Sequence, residues 1–330
     1  MSTPIIHGEI RNAAAWTSAS IGGKVGFART LTRTELAACR ELLDALRDVP
    51  TQEITRAQFR HPVLDPLLKE TREDIMRGKG AVILRGVEIG EWTREECERI
   101  FWGVGTHLGY ICVQSARGDR IGYVRDEPDD PVRRGYRSSG ELVLHTDSRE
   151  LIALMMLQPA ESGGETSLAS SATIHNVIAR ERPDLLAPLY RGYHYHSSES
   201  GFTEYEIPVF SNVDGNLSVM FFESHIRRAA KTKGAPLPPE LDEAVTYFAK
   251  TADRDDVCVR FMLEPGEIMI CNDFVVLHAR TEFRNSADKQ RLLARLWLNV
   301  PEDGRPVVPE LHVRGRFFDE RFDPYLMKRA

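Results

Sequence analysis

The sequence predicts an α+β protein in which helices flank a β-rich core. After residue 108 the chain consists mainly of short β-rich runs separated by Gly, Pro and acidic turns. Before that residue, helical and extended segments alternate. Many short strands with one or two long inserts are typical of a barrel or a double-sheet jelly roll, and they argue against a doubly wound parallel sheet.

The first hundred residues contain three predicted helices and one predicted strand. Apolar residues recur at helical spacing over residues 32–48 and 64–77, and proline or glycine follows each segment. The run "AVILRGVEI" is a predicted strand. Thr93 and Glu96 form a capping box for a third helix, which is predicted to continue to about residue 106.

The remainder of the chain is predicted to be β-rich, with helices only over residues 171–190 and 238–252. Its predicted strands are "ELVLHTD", "LIALMML", "LSVMFFE", "VCVRFML", "EIMICND" and "RLLARLWLNV". Since no repeat or linker divides the chain, we expect one domain. Its parts are helix and strand outworks over residues 1–107, the β-rich core with helical inserts over 108–300 and a tail over 301–330.

Composition and charge indicate an ordinary globular protein, with 42% hydrophobic and 28% charged residues. The longest apolar run, "LIALMML", is far shorter than the roughly 20 residues that a spanning helix needs, and no signal peptide is evident, so we expect no membrane association. The net charge of −6 is spread along the chain, which argues against nucleic-acid binding. Five cysteines without a CxxC pair indicate reduced thiols and a cytoplasmic protein.

The stretch "GELVLHTDSRE" ends an apolar run with two polar side chains, His145 and Asp147. Side chains two apart on a strand point to the same face, so these two point the same way. An uncompensated buried carboxylate costs several kcal/mol or stays protonated, so a cation nearby is expected. The pair is either a set of hydrogen-bonded core residues or two ligands of a metal ion.

A third ligand is available in "GEIMICNDFVVLHARTEF", where His278 follows the apolar run "FVVL". Two histidines and one carboxylate on one face of an iron ion leave three positions open, the arrangement of non-haem Fe(II) oxygenases. Zinc is not excluded by these ligands alone. A hydrogen-bonded core histidine is the alternative for His278.

Two arginines follow on one predicted strand. "KQRLLARLWLNV" places Arg291 and Arg295 on the same face as Leu293 and Trp297. A guanidinium group can hold a carboxylate through two parallel hydrogen bonds. At about 3.3 Å per residue the two arginines lie roughly 13 Å apart, far enough to bind different anionic groups. The alternative is an outward-facing strand whose arginines pair with surface acids.

Four ordered motifs, "RGYRSSGELVLHTDS", "PAESGGETSLAS", "PGEIMICNDFVVLHAR" and "RLLARLWL", span residues 134–298, and "GAVILRGV" lies near residue 80. In order and approximate spacing this set resembles the Fe(II)- and 2-oxoglutarate-dependent oxygenases of the taurine dioxygenase and 2,4-dichlorophenoxyacetate dioxygenase type, which include clavaminate synthase-like enzymes. The resemblance implies a double-stranded β-helix, or jelly-roll, core with flanking helices. Members of the family are often dimers or tetramers, so a homo-oligomer is a further expectation.

The resemblance also implies the reaction and its cofactors. A dioxygenase of this kind needs Fe(II), 2-oxoglutarate as cosubstrate and O2, and it releases succinate and CO2. The implied catalytic iron ligands are His145, Asp147 and His278. Related halogenases have a small residue in place of the carboxylate, so the presence of Asp147 favours hydroxylation, desaturation or oxidative cleavage.

The same resemblance implies binding residues for the cosubstrate and the substrate. Arg291 would hold the distal carboxylate of 2-oxoglutarate, and Thr166 in "GGETSL" would hydrogen-bond the same group. Arg295 matches a position at the substrate's anionic group. We therefore expect a small polar or anionic substrate such as an amino acid or organic acid.

A long charged segment, residues 113–137, immediately precedes the first predicted ligand. Its position favours a loop that approaches the active site. We expect Gln114 and Arg125 or Arg137 to contact polar groups of the substrate, and a solvated surface loop is the alternative.

Two other functions remain open from the residues. His194, His196 and Glu199 in "YHYHSSE" resemble the first half of a cupin metal motif, although a cupin has a longer gap before the glutamate. A jelly-roll protein that binds 2-oxoglutarate or another ligand without catalysis is the other alternative, because a fold alone does not establish an activity.

Overall fold

The computed structural model describes residues 3–87, 89–115, 118–129, 135–147, 149–197, 201–301 and 303–311. In these ranges no helix is both long and apolar enough to cross a bilayer. The α-helices are α1 (Ser18–Ile21), α2 (Arg33–Ala45), α3 (Leu64–Arg77), α4 (Arg94–Leu108), α5 (Ser171–Glu181), α6 (Leu186–Arg191), α7 (Glu223–Lys233) and α8 (Pro239–Ala252).

The strands are mostly short and concentrated after residue 108. They are β1 (Ala28–Thr30), β2 (Ala81–Arg85), β3 (Tyr110–Ile111), β4 (Gly122–Val124), β5 (Leu142–His145), β6 (Leu151–Gln158), β7 (Ser162–Gly163), β8 (Thr166–Ser170), β9 (His196–Ser197), β10 (Gly201–Phe202), β11 (Phe210–Val213), β12 (Asn216–Val219), β13 (Cys258–Phe261), β14 (Ile268–Asn272), β15 (Val276–Arg280), β16 (Phe283–Arg284) and β17 (Leu292–Asn299).

Two main sheets form the centre of the molecule. The larger sheet has the order β1-β2-β14-β6-β17-β3, with β4 also paired to β17, and the smaller has the order β13-β8-β15-β5. Apart from the parallel pair β1–β2, the pairings within both sheets are antiparallel. Because β1 and β2 belong to the larger sheet, that sheet continues across the boundary drawn after residue 107.

Side-chain alternation sorts the core into three layers. On β14, Met269 and Cys271 pack between the two sheets, whereas Ile268 and Ile270 pack outward with α2, α3 and α4. The outer face of the smaller sheet packs against α5, α6, α7 and α8, as Leu277 on β15 does. The predicted α+β class and the double-sheet core with flanking helices are confirmed.

Several predicted elements are confirmed with small changes in their ends. The helix predicted over 64–77 is α3, and the capping box of Thr93 and Glu96 starts α4. The helix predicted over 171–190 is interrupted at Arg182, which lies outside helical φ and ψ before Pro183. Proline disfavours helical geometry in the residue before it and has no N–H to donate, so the segment divides into α5 and α6.

The prediction of only two helices after residue 108 was wrong in one respect, because α7 also lies in this region. Its buried face consists of Ile226, Ala229 and Ala230, and the rest of the helix is polar or charged. Phe222 at its start makes no capping hydrogen bond through its side chain. With so few apolar residues and no capping motif, the sequence of α7 carries a weak helical signal.

Glu150 is a buried residue between β5 and β6. Its carboxylate binds the backbone of the segment that follows β17. It accepts hydrogen bonds from the backbone N–H groups of Arg305 (2.6 Å) and Val300 (3.3 Å). Burial raises the pKa of Glu150 to about 7, although these N–H groups and the Arg305 charge act in the opposite direction. The folded protein therefore holds a proton here at pH values where the unfolded chain has released it.

We expect the free energy of unfolding to fall between about pH 4.5 and pH 7, because the folded state binds more protons than the unfolded state in that window. A raised carboxyl pKa of this size corresponds to about 3 kcal/mol. In Glu150→Gln this part of the pH dependence should disappear, which urea denaturation of both proteins at pH 5 and pH 7 would measure. Equal pH dependence of wild type and variant would contradict the assignment.

Candidate metal and cosubstrate site

Three polar side chains converge between the two sheets. His145 at the end of β5 lies directly opposite His278 of β15 in the antiparallel register, and their ring centroids are 4.4 Å apart. Asp147 follows two residues after His145. One potential ligand atom from each of the three lies within 4.8 Å of the others, and within the described ranges no other group of His, Cys, Asp or Glu was found that could hold a metal ion.

The two imidazoles are oriented by hydrogen bonds at Nδ1. His145 Nδ1 donates to the Val143 carbonyl (2.8 Å), and His278 Nδ1 donates to Oδ1 of Asp273 (3.1 Å). Nε2 is therefore the nitrogen that each ring has available for a metal. His145 Nε2 lies 3.7 Å from Oδ1 of Asp147, a separation that a shared cation can bridge.

The protonation states of His145 and Asp147 suit a metal site. Burial, together with the neighbouring His278, lowers the pKa of His145 to about 4, so this imidazole is neutral at pH 7. Burial alone would raise the pKa of Asp147, but Arg295 and the two histidines lower it to about 2. One neutral imidazole and an ionised carboxylate are thus in place without a metal.

Asp147 has partners at both its carboxylate and its backbone N–H. Trp297 Nε1 donates to its Oδ2 at 2.6 Å, and Arg295 Nη1 lies 3.7 Å from the same oxygen. The backbone N–H of Asp147 donates to Oδ2 of Asp273 at 2.7 Å. Sequence reasoning missed the contacts of Trp297 and Asp273, although both residues lie within the quoted motifs.

Arg291 immediately precedes β17, and its side chain is buried. Its side chain is over the ring of Phe283, and its Nη1 has no hydrogen-bond partner in the described part of the chain. Burial and the nearby Arg280 lower the pKa of Arg291 to about 9. Gly164 in "SGGET" makes room for it, since a Cβ there would lie 2.8 Å from Arg291 Nε and the backbone has φ +79°.

Thr166 begins β8 and lies directly opposite Arg280 of β15, so both face the inside of the double sheet. Arg280 was not predicted as a site residue. It donates to the carbonyls of Ser138 (3.1 Å) and Gly140 (2.6 Å), which fixes the turn that leads into β5. Sequence spacing offers no sign of this contact, because its partners lie about 140 residues away.

Arg295 lies on the inner face of β17, close to two aromatic rings. Its guanidinium is 4.3 Å from the ring centroid of Tyr136 and 4.2 Å from that of Trp297. Its Nε donates to Oε1 of Gln114 at 2.8 Å. Nη2 has no hydrogen-bond partner in the residues the structure describes, so one edge of this cation remains available to an anion.

The other predicted substrate residues have different surroundings. Gln114 is buried, and its Nε2 donates to the carbonyls of Arg120 and Arg295, so it supports Arg295. Arg125 is exposed and pairs with Glu127 at 2.7 Å, and Arg137 lies 3.5 Å from the same carboxylate. The segment that carries these residues is described only in part, because residues 116–117 and 130–134 lie outside the described ranges.

The second histidine pair has its own partners. His194 Nδ1 lies 2.7 Å from the Thr203 carbonyl, and His196 Nδ1 lies 2.6 Å from the hydroxyl of Thr232. Glu199, the third member of the cupin-like set, lies outside the described residues.

A family comparison distinguishes among these possibilities. Residues 40–297 match the family described as taurine catabolism dioxygenase TauD, TfdA family, a range that includes the three converging side chains, Arg291 and Arg295. The chain belongs to this family. The resemblance drawn from the motifs is therefore confirmed, and with it the enzyme class: the protein is an Fe(II)- and 2-oxoglutarate-dependent dioxygenase.

Individual relatives agree with this result. FR-33289 synthase of Streptomyces rubellomurinus (strain ATCC 31215) is 32% identical over 252 residues, which cover 72% of this chain and 74% of the relative. The taurine hydroxylase-like protein SAT17 of Stachybotrys chartarum (strain CBS 109288 / IBT 7711) is 28% identical over 295 residues, 84% of this chain and 75% of the relative.

A solved structure supports the fold. Asparagine oxygenase in complex with Fe(II), 2S,3S-3-hydroxyasparagine and succinate superposes with a TM-score of 0.68. The match covers 84% of this chain and 98% of that chain at 18% sequence identity. At 18% sequence identity, this similarity shows that the two chains share a fold.

Proposed function

We propose that this dioxygenase hydroxylates a small anionic substrate of the amino-acid or organic-acid class, with release of succinate and CO2. The observation that carries the proposal is the convergence of His145, Asp147 and His278 in the same interior as Arg291, a buried cation with an unsatisfied N–H group. The first three can hold a metal, and the fourth is suited to bind an anion.

The donor set fits ferrous iron. Two imidazole nitrogens and one carboxylate oxygen occupy three positions and leave three for other ligands. When bound there with 2-oxoglutarate and O2, iron supplies the oxidising chemistry. The protein contributes His145, Asp147 and His278 as ligands, already deprotonated or hydrogen-bonded in the required orientation, and a buried site that limits access of water.

Arg291 and Thr166 are the proposed residues for the distal carboxylate of 2-oxoglutarate. A guanidinium can bind a carboxylate through two hydrogen bonds, and the buried Arg291 has no acid partner among the described residues. Thr166 adds a hydroxyl on the inner face of β8. An anion in this position would compensate the charge that burial makes unfavourable.

Arg295 is the proposed residue for the substrate's anionic group. The rings of Tyr136 and Trp297 both lie close to its guanidinium and Gln114 occupies Nε, whereas Nη2 has no partner among the described residues and can donate to a ligand. Hydrogen bonding at Nη2 suits a carboxylate. The asparagine oxygenase named above was solved with a hydroxylated amino acid, which supports the same substrate class.

Arg125→Ala and Arg137→Ala test the role of the segment before β5. If these arginines bind the substrate, each variant should raise the substrate KM by about 10- to 150-fold, the effect of losing one hydrogen bond to a charged group. Steady-state kinetics with an identified substrate would measure it. Because Arg125 is exposed and paired with Glu127, unchanged kinetics for Arg125→Ala would assign that residue to the surface.

The proposal is tested by mixing the purified protein with Fe(II) and 2-oxoglutarate without oxygen and recording the visible charge-transfer band. Oxygen is then admitted, and succinate is assayed across a panel of amino and organic acids. We expect a band and substrate-stimulated succinate release. A band without succinate for any substrate would favour a ligand-binding protein, and the absence of a band would contradict the proposed iron site.

A further inference from the structure

A second carboxylate, Asp273, lies fully buried behind the proposed iron ligands. It belongs to the turn between β14 and β15 and has a relative exposure of 0%. Its Oδ1 accepts from Nδ1 of His278 (3.1 Å), and its Oδ2 accepts from the backbone N–H of Asp147 (2.7 Å). One side chain thus contacts two of the three proposed ligands, which lie 131 residues apart in the sequence.

The two contacts require a side chain with two terminal atoms that each accept a hydrogen bond. Both partners of Asp273 are N–H donors in this arrangement. A carboxylate offers two acceptor oxygens, whereas an asparagine amide would present its own NH2 group to one of the donors. An amide here would leave one buried N–H without a partner and place two donors against each other.

The turn that carries Asp273 is itself fixed in position. The backbone N–H of Asp273 donates to the carbonyl of Glu150 (2.8 Å), and that of Phe274 donates to Oδ1 of Asn272 (3.0 Å). The backbone N–H of Asn272 donates to the carbonyl of Gly80 (2.8 Å). The carboxylate therefore has a defined position between the end of β14 and the end of β5.

We propose that Asp273 is a positioning residue that orients His278 and Asp147 together and makes the two imidazoles unequal donors. His145 donates from Nδ1 to a neutral carbonyl, whereas His278 donates to a carboxylate. A carboxylate partner increases the basicity of the opposite ring nitrogen, so His278 becomes the stronger metal ligand. This inference rests on the proposed function, because it assigns Asp273 a role toward the same metal.

The test compares metal affinities of metal-stripped proteins in Co(II) titrations against a chromophoric chelator. Asp273→Asn should bind Co(II) about 10- to 100-fold more weakly than wild type. The matched control is Glu150→Gln, since Glu150 is also a buried carboxylate that accepts two backbone N–H groups but touches no proposed ligand. The control should stay within about threefold of wild type, because Glu150 bonds to Asp273 through its backbone carbonyl, which the substitution keeps, and its side chain bonds to the N–H groups of Val300 and Arg305.

Wild-type protein provides a second measurement that does not depend on the folding of a variant. In the Zn(II)-loaded enzyme, NMR should show the Nδ1 proton of His278, which donates to a carboxylate, further downfield and exchanging more slowly than the Nδ1 proton of His145, which donates to a carbonyl. A merely structural carboxylate that did not change His278 as a donor would leave the two protons alike. Equal chemical shifts for the two protons would overturn the inference.

The outcomes distinguish a failure of the inference about Asp273 from a failure of the proposed function. If wild type binds Co(II) and Asp273→Asn binds it equally well, or if Glu150→Gln weakens binding as much, the role of Asp273 is overturned while the iron site stands. If wild type binds no Co(II), the proposed function fails, and the inference fails with it.

Discussion

Replacement of His145, Asp147 or His278 by alanine should abolish turnover and weaken metal binding by about 10²- to 10³-fold for each residue removed. The estimate follows from structural four-ligand zinc sites, which bind with about 10–16 kcal/mol, or roughly 2.5–4 kcal/mol for each ligand. One ligand atom from each of the three residues lies within 4.8 Å of the others, so each residue supplies one of the three protein positions around the proposed metal. Metal titration of each variant and the succinate assay would measure the two effects.

His194→Ala and His196→Ala are the matched controls for these variants. Each removes an imidazole whose Nδ1 has a protein partner, but from the cupin-like segment. Both controls should retain metal affinity and succinate formation. Loss of metal in the controls, with full affinity in His145→Ala, would move the metal to the other histidines and contradict the assignment.

The alternation of side chains predicted much of the architecture correctly. On β17, Leu293 and Trp297 pack between the sheets, and Ala294, Leu296 and Leu298 pack outward, as the strand period of two required. This pattern is local, because it depends only on the spacing of residues along one strand. The same alternation correctly predicts that Arg295 lies on the inner face, with Leu293 and Trp297.

The environment of β5 could not be predicted in the same way. Its apolar run suggested a buried strand, but β5 is the edge of the smaller sheet and Val143 is 52% exposed. Position within a sheet depends on pairing between distant segments, which the spacing inside one segment does not determine. The pairing of His145 with His278 likewise depends on the register between β5 and β15, which neither strand's own sequence determines.

The residues that support the site were the most difficult to predict. Asp273 and Trp297 act on Asp147 through hydrogen bonds that join parts of the chain 126 and 150 residues apart. Aspartate and tryptophan at such positions have many structural uses, so their residue types alone indicate no partner. Gln114 was singled out from the sequence, but its contact is the guanidinium of Arg295.

Arg291→Met should stabilise the protein without cosubstrate and destroy its response to 2-oxoglutarate. The guanidinium is 3% exposed, lacks a partner at Nη1, and has its pKa lowered to about 9 by burial and by Arg280. Because the charged form is disfavoured in the folded state, an apolar side chain of similar length should raise the free energy of unfolding by about 1–4 kcal/mol. The KM for 2-oxoglutarate should rise by about 10²-fold or more, the effect of leaving a carboxylate unpaired in a buried site.

Thermal melts with and without 2-oxoglutarate, recorded without oxygen, would reveal both effects together. The free variant should melt above free wild type, whereas saturating 2-oxoglutarate should raise only the wild-type Tm, since a ligand stabilises the state that binds it. Arg99→Met is the matched control, because Arg99 is equally buried but donates to the carbonyls of Leu46 and Val49. That substitution removes satisfied hydrogen bonds, so it should lower the Tm and leave the 2-oxoglutarate KM unchanged. If Arg291→Met behaved like the control, Arg291 would be a structural arginine, and the distal carboxylate would have to bind elsewhere.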